Sequence, residues 1–169
     1  MSGWLWYLFA FLVLQRLIEL VIAKRNEQWM YQKGAYEVGK DHYKWFILVH
    51  SLFFLALLVE GDFQQSFSPV LFGLFLVTQL LRIWCLVSLG KFWNTKIIIL
   101  PGARLVEKGP YRFMKHPNYV VVAIELFIIP IMFHAYVLAI IFPLLHLILL
   151  TKRIPVENKV LIQCSHKKS

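Results

Sequence analysis

Two stretches of the chain gather side chains able to bind and turn over a small molecule. The first reads Arg104-Leu105-Val106-Glu107-Lys108-Gly109-Pro110-Tyr111-Arg112-Phe113-Met114-Lys115-His116-Pro117-Asn118-Tyr119. Gly109-Pro110 is a turn signal. His116 precedes Pro117, which disfavours helical geometry at His116 and pins it at the mouth of the helix that Pro117 opens. Free N–H groups at a helix start carry partial positive charge and suit a carboxylate or phosphate, and the nearby basic side chains reinforce this. A basic loop resting on lipid headgroups would explain the charges. Gly-Pro-Tyr, His-Pro and Tyr119 at fixed spacing are what favour a site.

The second stretch is Lys152-Arg153-Ile154-Pro155-Val156-Glu157-Asn158. Arg153 and Glu157 are four apart and share a face if the segment is helical. Pro155 between them could instead bend the chain and fold the pair over. A basic flank anchoring a helix end explains Lys152 but not Glu157. Glu125 sits among apolar residues, where an ionisable group either belongs to a site or locks helices together by hydrogen bonding; both readings stay open. His146 reads as a packed, hydrogen-bonded histidine, and His42, His50, His134 and His166 join no constellation. Walker, GxGxxG and HExxH patterns are missing, and no spacing suggests a metal.

These residues need a scaffold, and composition names its class. Of 169 residues, 59% are hydrophobic and 16% charged, against about 25% charged in soluble domains. The apolar residues come in blocks, and a membrane helix takes roughly 20 of them. The net charge of +9 could suggest nucleic acid, but the basic residues lie between apolar blocks, so a membrane surface explains them better. Cys85 falls in an apolar block and Cys164 in the basic tail, which argues for inert thiols rather than a disulfide.

The blocks are Trp4 to Ala23, Trp45 to Val59, Pro69 to Leu89, Pro117 to about Phe133, and Ala135 to Leu150. The last two are short, about 24–26 Å at 1.5 Å per residue, and almost no loop separates them, which predicts a tight hairpin kinked at Pro130 and Pro143. Met1 to Gly3 is uncharged and Ala23 runs straight into Lys24 and Arg25, so the first block is expected to stay as an anchor. Arg16 and Glu19, three apart, share a face and read as an ion pair docking this helix on a neighbour. Arg82 reads as a side chain snorkelling to the headgroups. All of the 18 basic residues but Arg16 and Arg82, 16 in number, fall in the polar segments on one side, and the opposite loops near Asp62 and His134 hold none. The positive-inside rule then predicts an N-terminus outside and a cytoplasmic C-terminus. The expectation is an all-α integral membrane protein with about five transmembrane helices.

The loop Gly109-Pro110-Tyr111, then His116-Pro117 and Tyr119, a short helical hairpin, and Arg153 with Glu157 after it resemble the isoprenylcysteine carboxyl methyltransferase family. The likeness covers roughly Phe92 to Glu157, and within the family small bacterial members that O-methylate long-chain alkylpyrones are most similar. The resemblance implies S-adenosylmethionine as cofactor, with Tyr111, His116, Pro117, Tyr119 and Asn158 around it and Arg153 and Glu157 as catalytic residues at the junction with substrate. The family usually has two adjacent acids where this chain has Glu157-Asn158. The apolar blocks make one membrane domain over 1–169, with three membrane helices in 4–89, and the resemblance puts the cofactor loop, hairpin and tail in 90–169. The implied substrate is a lipophilic molecule from the membrane, either an alkylpyrone enol made by a type III polyketide synthase or a prenylcysteine-type carboxylate. A nicotinamide-dependent reductase of a sterol-like substrate and a non-enzymatic membrane scaffold are the competing readings.

Overall fold

Ser68 and Pro69 start the third apolar block as helix chemistry requires. Ser68 is extended and its Oγ accepts from the Leu71 N–H at 3.5 Å, while Pro69 occupies the first turn, where no N–H is needed. The helix ends at Leu89 because Gly90 turns left-handed, at φ 54°. In this computed structural model, which describes residues 3–166, the helices are α1 (Trp4–Tyr31), α2 (Lys40–Glu60), α3 (Pro69–Leu89), α4 (Pro117–Met132) and α5 (Tyr136–His166). Lys167 and Lys168 of the expected tail, and the side chains of Cys164 and His166, lie outside the described residues.

Two helices outrun the apolar blocks. α1 continues through Lys24–Tyr31, and α5 passes Pro143 and Pro155 to reach His166. The chain therefore does not leave the helix at Pro155. Arg153 and Glu157 stay one turn apart on a rigid element, and the expected tail is largely helix. α1, α2, α3 and α5 are long and apolar enough to cross a membrane. α4 has 16 residues, about 24 Å of helix against a hydrocarbon core of about 30 Å. Its apolar character has another cause: Val121, Val122, Leu126, Ile128, Ile129 and Met132 are all buried, packed against α3 and α5. By contrast Val59, Val70, Leu80 and Val87 stand well exposed on the long helices, as lipid-facing residues must. α4 and α5 are joined by 133–135, where His134 takes a positive φ of 55°.

The charges inside the apolar layer form one network across α1, α3 and α4. Arg82 Nη1 donates to Glu19 Oε1 and Oε2 at 2.9 Å each, Arg82 Nε donates to Glu125 Oε1 at 2.8 Å, and Arg82 Nη2 pairs with Glu125 Oε2. Arg16 bridges the same two carboxylates at 2.9 and 3.0 Å, and Gln79 Nε2 donates to Glu125 Oε1 at 3.0 Å. The snorkelling reading of Arg82 is thus overturned: the residue is 1% exposed, because two carboxylates within reach outweigh the distance to the headgroups. Glu125 locks helices together, and the Arg16–Glu19 pair docks α1 as expected.

The connection between α3 and α4 is not uniformly polar. Ile97–Ile99 forms β2, antiparallel to β1 (Tyr36–Val38), with Tyr36 opposite Ile99 and Val38 opposite Ile97. Ile97 and Ile99 are buried against Val160, with Val38 and Val156 beside them. This small ribbon lies over the far half of α5. Lys96 ties it down by donating to Glu27 of α1 at 2.7 Å; that hydrogen bond holds the Lys96 ammonium above its ordinary range, so it stays charged.

Candidate active site

Chain segments far apart in sequence converge where α4 begins and the last half of α5 passes. A 3-10 turn at Gly109–Arg112 fixes the first of them. Gly109 has φ 57°, and a Cβ there would collide with the Ser88 side chain and lie 2.9 Å from Trp84 Nε1, both on α3. Only glycine fits so close to α3 in that conformation. Pro110 is buried, and the turn delivers Tyr111 to the cavity described below. Burial first, then the Cys85 thiol and the Glu157 carboxylate, push the Tyr111 phenol above its ordinary range, so it remains a hydrogen-bond donor. Gly109→Ala is expected to cost about 1–2 kcal/mol in the backbone alone, before the collision with Ser88. A lower melting temperature in detergent would show it, and an unchanged melting temperature would contradict the packing described.

His116 is non-helical, at φ −131° and ψ 56°, and Pro117 starts α4. Its ring stacks on Tyr119, with centroids 5.3 Å apart, and its Nε2 meets Asn158 Oδ1 at 3.0 Å. Because Oδ1 accepts, Nε2 carries the hydrogen. Nδ1 faces Glu157 Oε1 at 3.7 Å. The Tyr119 hydroxyl donates to Glu157 Oε2 at 2.5 Å and accepts from Arg153 Nε at 2.7 Å. Arg153 Nη2 donates to the Thr95 carbonyl at 2.7 Å. Arg153 and Glu157 are therefore linked through one phenol rather than paired directly. Arg153 Nη1 makes no hydrogen bond among the described residues. Phe46 and Tyr119 flank the guanidinium, with ring centroids 4.9 and 5.5 Å away.

Two cavities meet at this relay. The larger, about 800 Å³, runs beneath β2 and the loop 103–107 and is lined by Lys96, Arg104, Arg112, Lys115, Glu107 and Glu157 together with apolar residues. The smaller, about 300 Å³, lies among α1, α2, α4 and α5 and mixes apolar side chains such as Val13, Leu17 and Ile47 with polar ones. Asn94, Tyr119 and Arg153 are walls of both. Of the residues singled out in the sequence, Tyr111, Tyr119, Arg153, Glu157 and Asn158 line the larger cavity. His116 stands behind Asn158 and Glu157, and Pro117 is buried at the helix start.

The family profile of isoprenylcysteine carboxyl methyltransferases matches residues 71–163, more than half of the chain, including Tyr111, His116, Tyr119, Arg153, Glu157 and Asn158. The chain belongs to the isoprenylcysteine carboxyl methyltransferase family. Among related proteins, the uncharacterized protein YpbQ of Bacillus subtilis is 43% identical over 166 residues, 96% of this chain and 99% of that protein. An uncharacterized protein of Haemophilus influenzae is 26% identical over 115 residues, 66% of this chain and 67% of that protein. No solved structure matches significantly. Family membership and the long apolar helices together make this a multi-pass membrane methyltransferase.

Within that family frame, sequence reasoning missed three contributors to the site. Thr95 acts through its backbone carbonyl, which no side-chain pattern reports. Asn94 lies where the chain leaves α3, and Lys96 was counted only as a loop charge. The run Phe92-Trp93-Asn94-Thr95, two residues after an apolar block, was the available signal, since large aromatics and amides near a helix end suit a buried corner.

Proposed function

We propose that the protein transfers a methyl group from S-adenosylmethionine to an oxygen of a lipophilic acceptor. The observation that carries this is the meeting of two cavities at Arg153 and Tyr119, one wide and charged, the other narrow and reached between membrane helices. A volume of about 800 Å³ lies within the usual range for ligand sites, and its lining suits the cofactor. Glu157 offers a carboxylate to an ammonium or ribose hydroxyls, Arg104, Arg112 and Lys115 offer cations to a carboxylate, and Leu105 and Val106 offer apolar surface to a base. When bound, the cofactor supplies an electrophilic methyl group on a sulfonium. Transfer to an oxygen that is already anionic needs alignment and exclusion of water more than acid–base help.

The chain's own residues do that work. Arg153 directs Nη1 at the acceptor oxygen and holds it by a charge-assisted hydrogen bond. Tyr119 and the Thr95 carbonyl fix the guanidinium plane, and Glu157 in turn fixes Tyr119. His116 holds Asn158 and, through stacking, Tyr119. Asn158, where the family usually has a second acid, makes this contact through an amide and leaves Glu157 as the single carboxylate of the motif. Tyr119→Phe deletes the shared hydroxyl and should lower kcat by roughly a hundredfold, the penalty of about an ångström of misplacement. Binding of the methyl donor, measured by calorimetry, should change little; an unaltered kcat would remove the relay from the mechanism.

The acceptor in this reading is the enol of a long-chain alkylpyrone, supplied by a type III polyketide synthase, reaching the narrow cavity sideways from the bilayer between α1 and α2. Leu17 and Ile47 line that cavity and are also well exposed on the outer surface of those helices. The charged cavity would open to the cytoplasm, since the basic residues cluster on its side. Purified protein given methyl-labelled cofactor with an alkylpyrone and with a prenylcysteine tests the acceptor. Label on the pyrone supports it, and label on the prenylcysteine alone replaces it by a carboxylate.

A further inference from the structure

Buried polar atoms without partners are uncommon in folded proteins and call for a reason. Among the described residues they are Trp93 Nε1, Asn118 Oδ1 and both ring nitrogens of His146. All three residues line the narrow cavity. His146 is 1% exposed and Trp93 4%, so bulk water does not reach them. His146 sits edge-on to Phe46 and His50, each with ring centroids 5.9 Å away, and His50 Nδ1 is already engaged by the Phe46 carbonyl at 2.8 Å. The Tyr119 backbone also lies beside the ring, but neither His146 nitrogen makes a hydrogen bond of normal geometry with it or with these aromatic neighbours.

A cavity that took only a hydrocarbon tail would have no use for these groups, since burying them unpaired is unfavourable. Together they present an indole donor, an amide acceptor and a ring carrying one donor and one acceptor when neutral. We infer that the narrow cavity reads the polar head of the acceptor, with Trp93, Asn118 and His146 pairing to hydrogen-bonding groups on that head other than the oxygen held by Arg153. The substrate class is therefore an amphiphile whose head carries at least one further hydrogen-bonding group, such as the ring carbonyl of a pyrone facing the Trp93 and His146 N–H donors, rather than a simple monophenol. This rests on the acceptor-site reading of the cavity given above and sharpens it.

Binding to the full-length protein in lipid nanodiscs, with empty discs as reference and no methyl donor present, tests the inference with two probes of equal tail. One is 4-dodecylphenol, with a single hydroxyl, and the other dodecyl gallate, with further hydroxyls and a carbonyl. The gallate should bind at least about tenfold more tightly, as expected for one or two added buried hydrogen bonds. Trp93→Phe and His146→Phe should each erase most of that difference while leaving the phenol's affinity unchanged. Equal affinity of the two probes for wild-type protein would overturn the inference, as would a preference that survives both substitutions. Separately, absence of S-adenosylmethionine binding would refute the methyltransferase reading while leaving this ligand preference measured and standing.

Discussion

Replacing Arg153 with alanine should reduce methyl transfer by at least about a hundredfold, the usual consequence of deleting one preorganised donor aimed at a reacting oxygen. The side chain is 6% exposed, lines both cavities and is held at Nε and Nη2 by Tyr119 and Thr95. Those contacts orient it without using Nη1. Fold and cofactor affinity should persist, because Glu157, Tyr111 and Asn158 remain and β2 stays packed through Ile97 and Ile99. The readout is a split: kcat collapses while calorimetric binding of the cofactor stays within a few-fold. Arg153→Lys should recover little of the loss, since a lysine ammonium cannot present a fixed fork to Tyr119, Thr95 and the acceptor at once. A purified Arg153→Ala protein with normal turnover would end the assignment.

Substituting methionine for Arg82 should cost about 3–5 kcal/mol, the range for breaking a buried ion pair by removing one partner. Arg82 satisfies Glu19 and Glu125 together, and Arg16 alone would then face both carboxylates. The expected result is a large drop in the yield and melting temperature of folded protein in detergent. Replacing Arg82 and Glu125 together with apolar residues should restore part of the stability, since the uncompensated charge disappears with its partner. If the single substitution is silent, the network does not hold α1, α3 and α4 together.

Much of this arrangement could be read from the chain itself, and the parts that could not have identifiable causes. The third helix was legible to its end residues because Ser68, Pro69 and Gly90 are local punctuation. The extension of α1 and α5 into polar sequence was not, because a helix outside the apolar layer loses its hydropathy signature while keeping its backbone. Arg82 was misread because snorkelling and ion pairing look alike until the partners' helices are placed. β1 and β2 are three residues each, too short for a period-2 pattern. The Arg153–Tyr119–Glu157 relay was foreshadowed by spacing, while the Thr95 carbonyl and the unpartnered His146 became visible only once the helices met.

Cofactor binding is the most direct test of the central claim. Calorimetric titration of detergent-purified protein with S-adenosylmethionine should show one saturable site, weakened by Glu157→Gln or His116→Ala and little changed by Arg153→Ala. A folded sample that binds no cofactor, or binds it equally well with Glu157 and His116 replaced, would contradict the assignment of the larger cavity as the methyl-donor site.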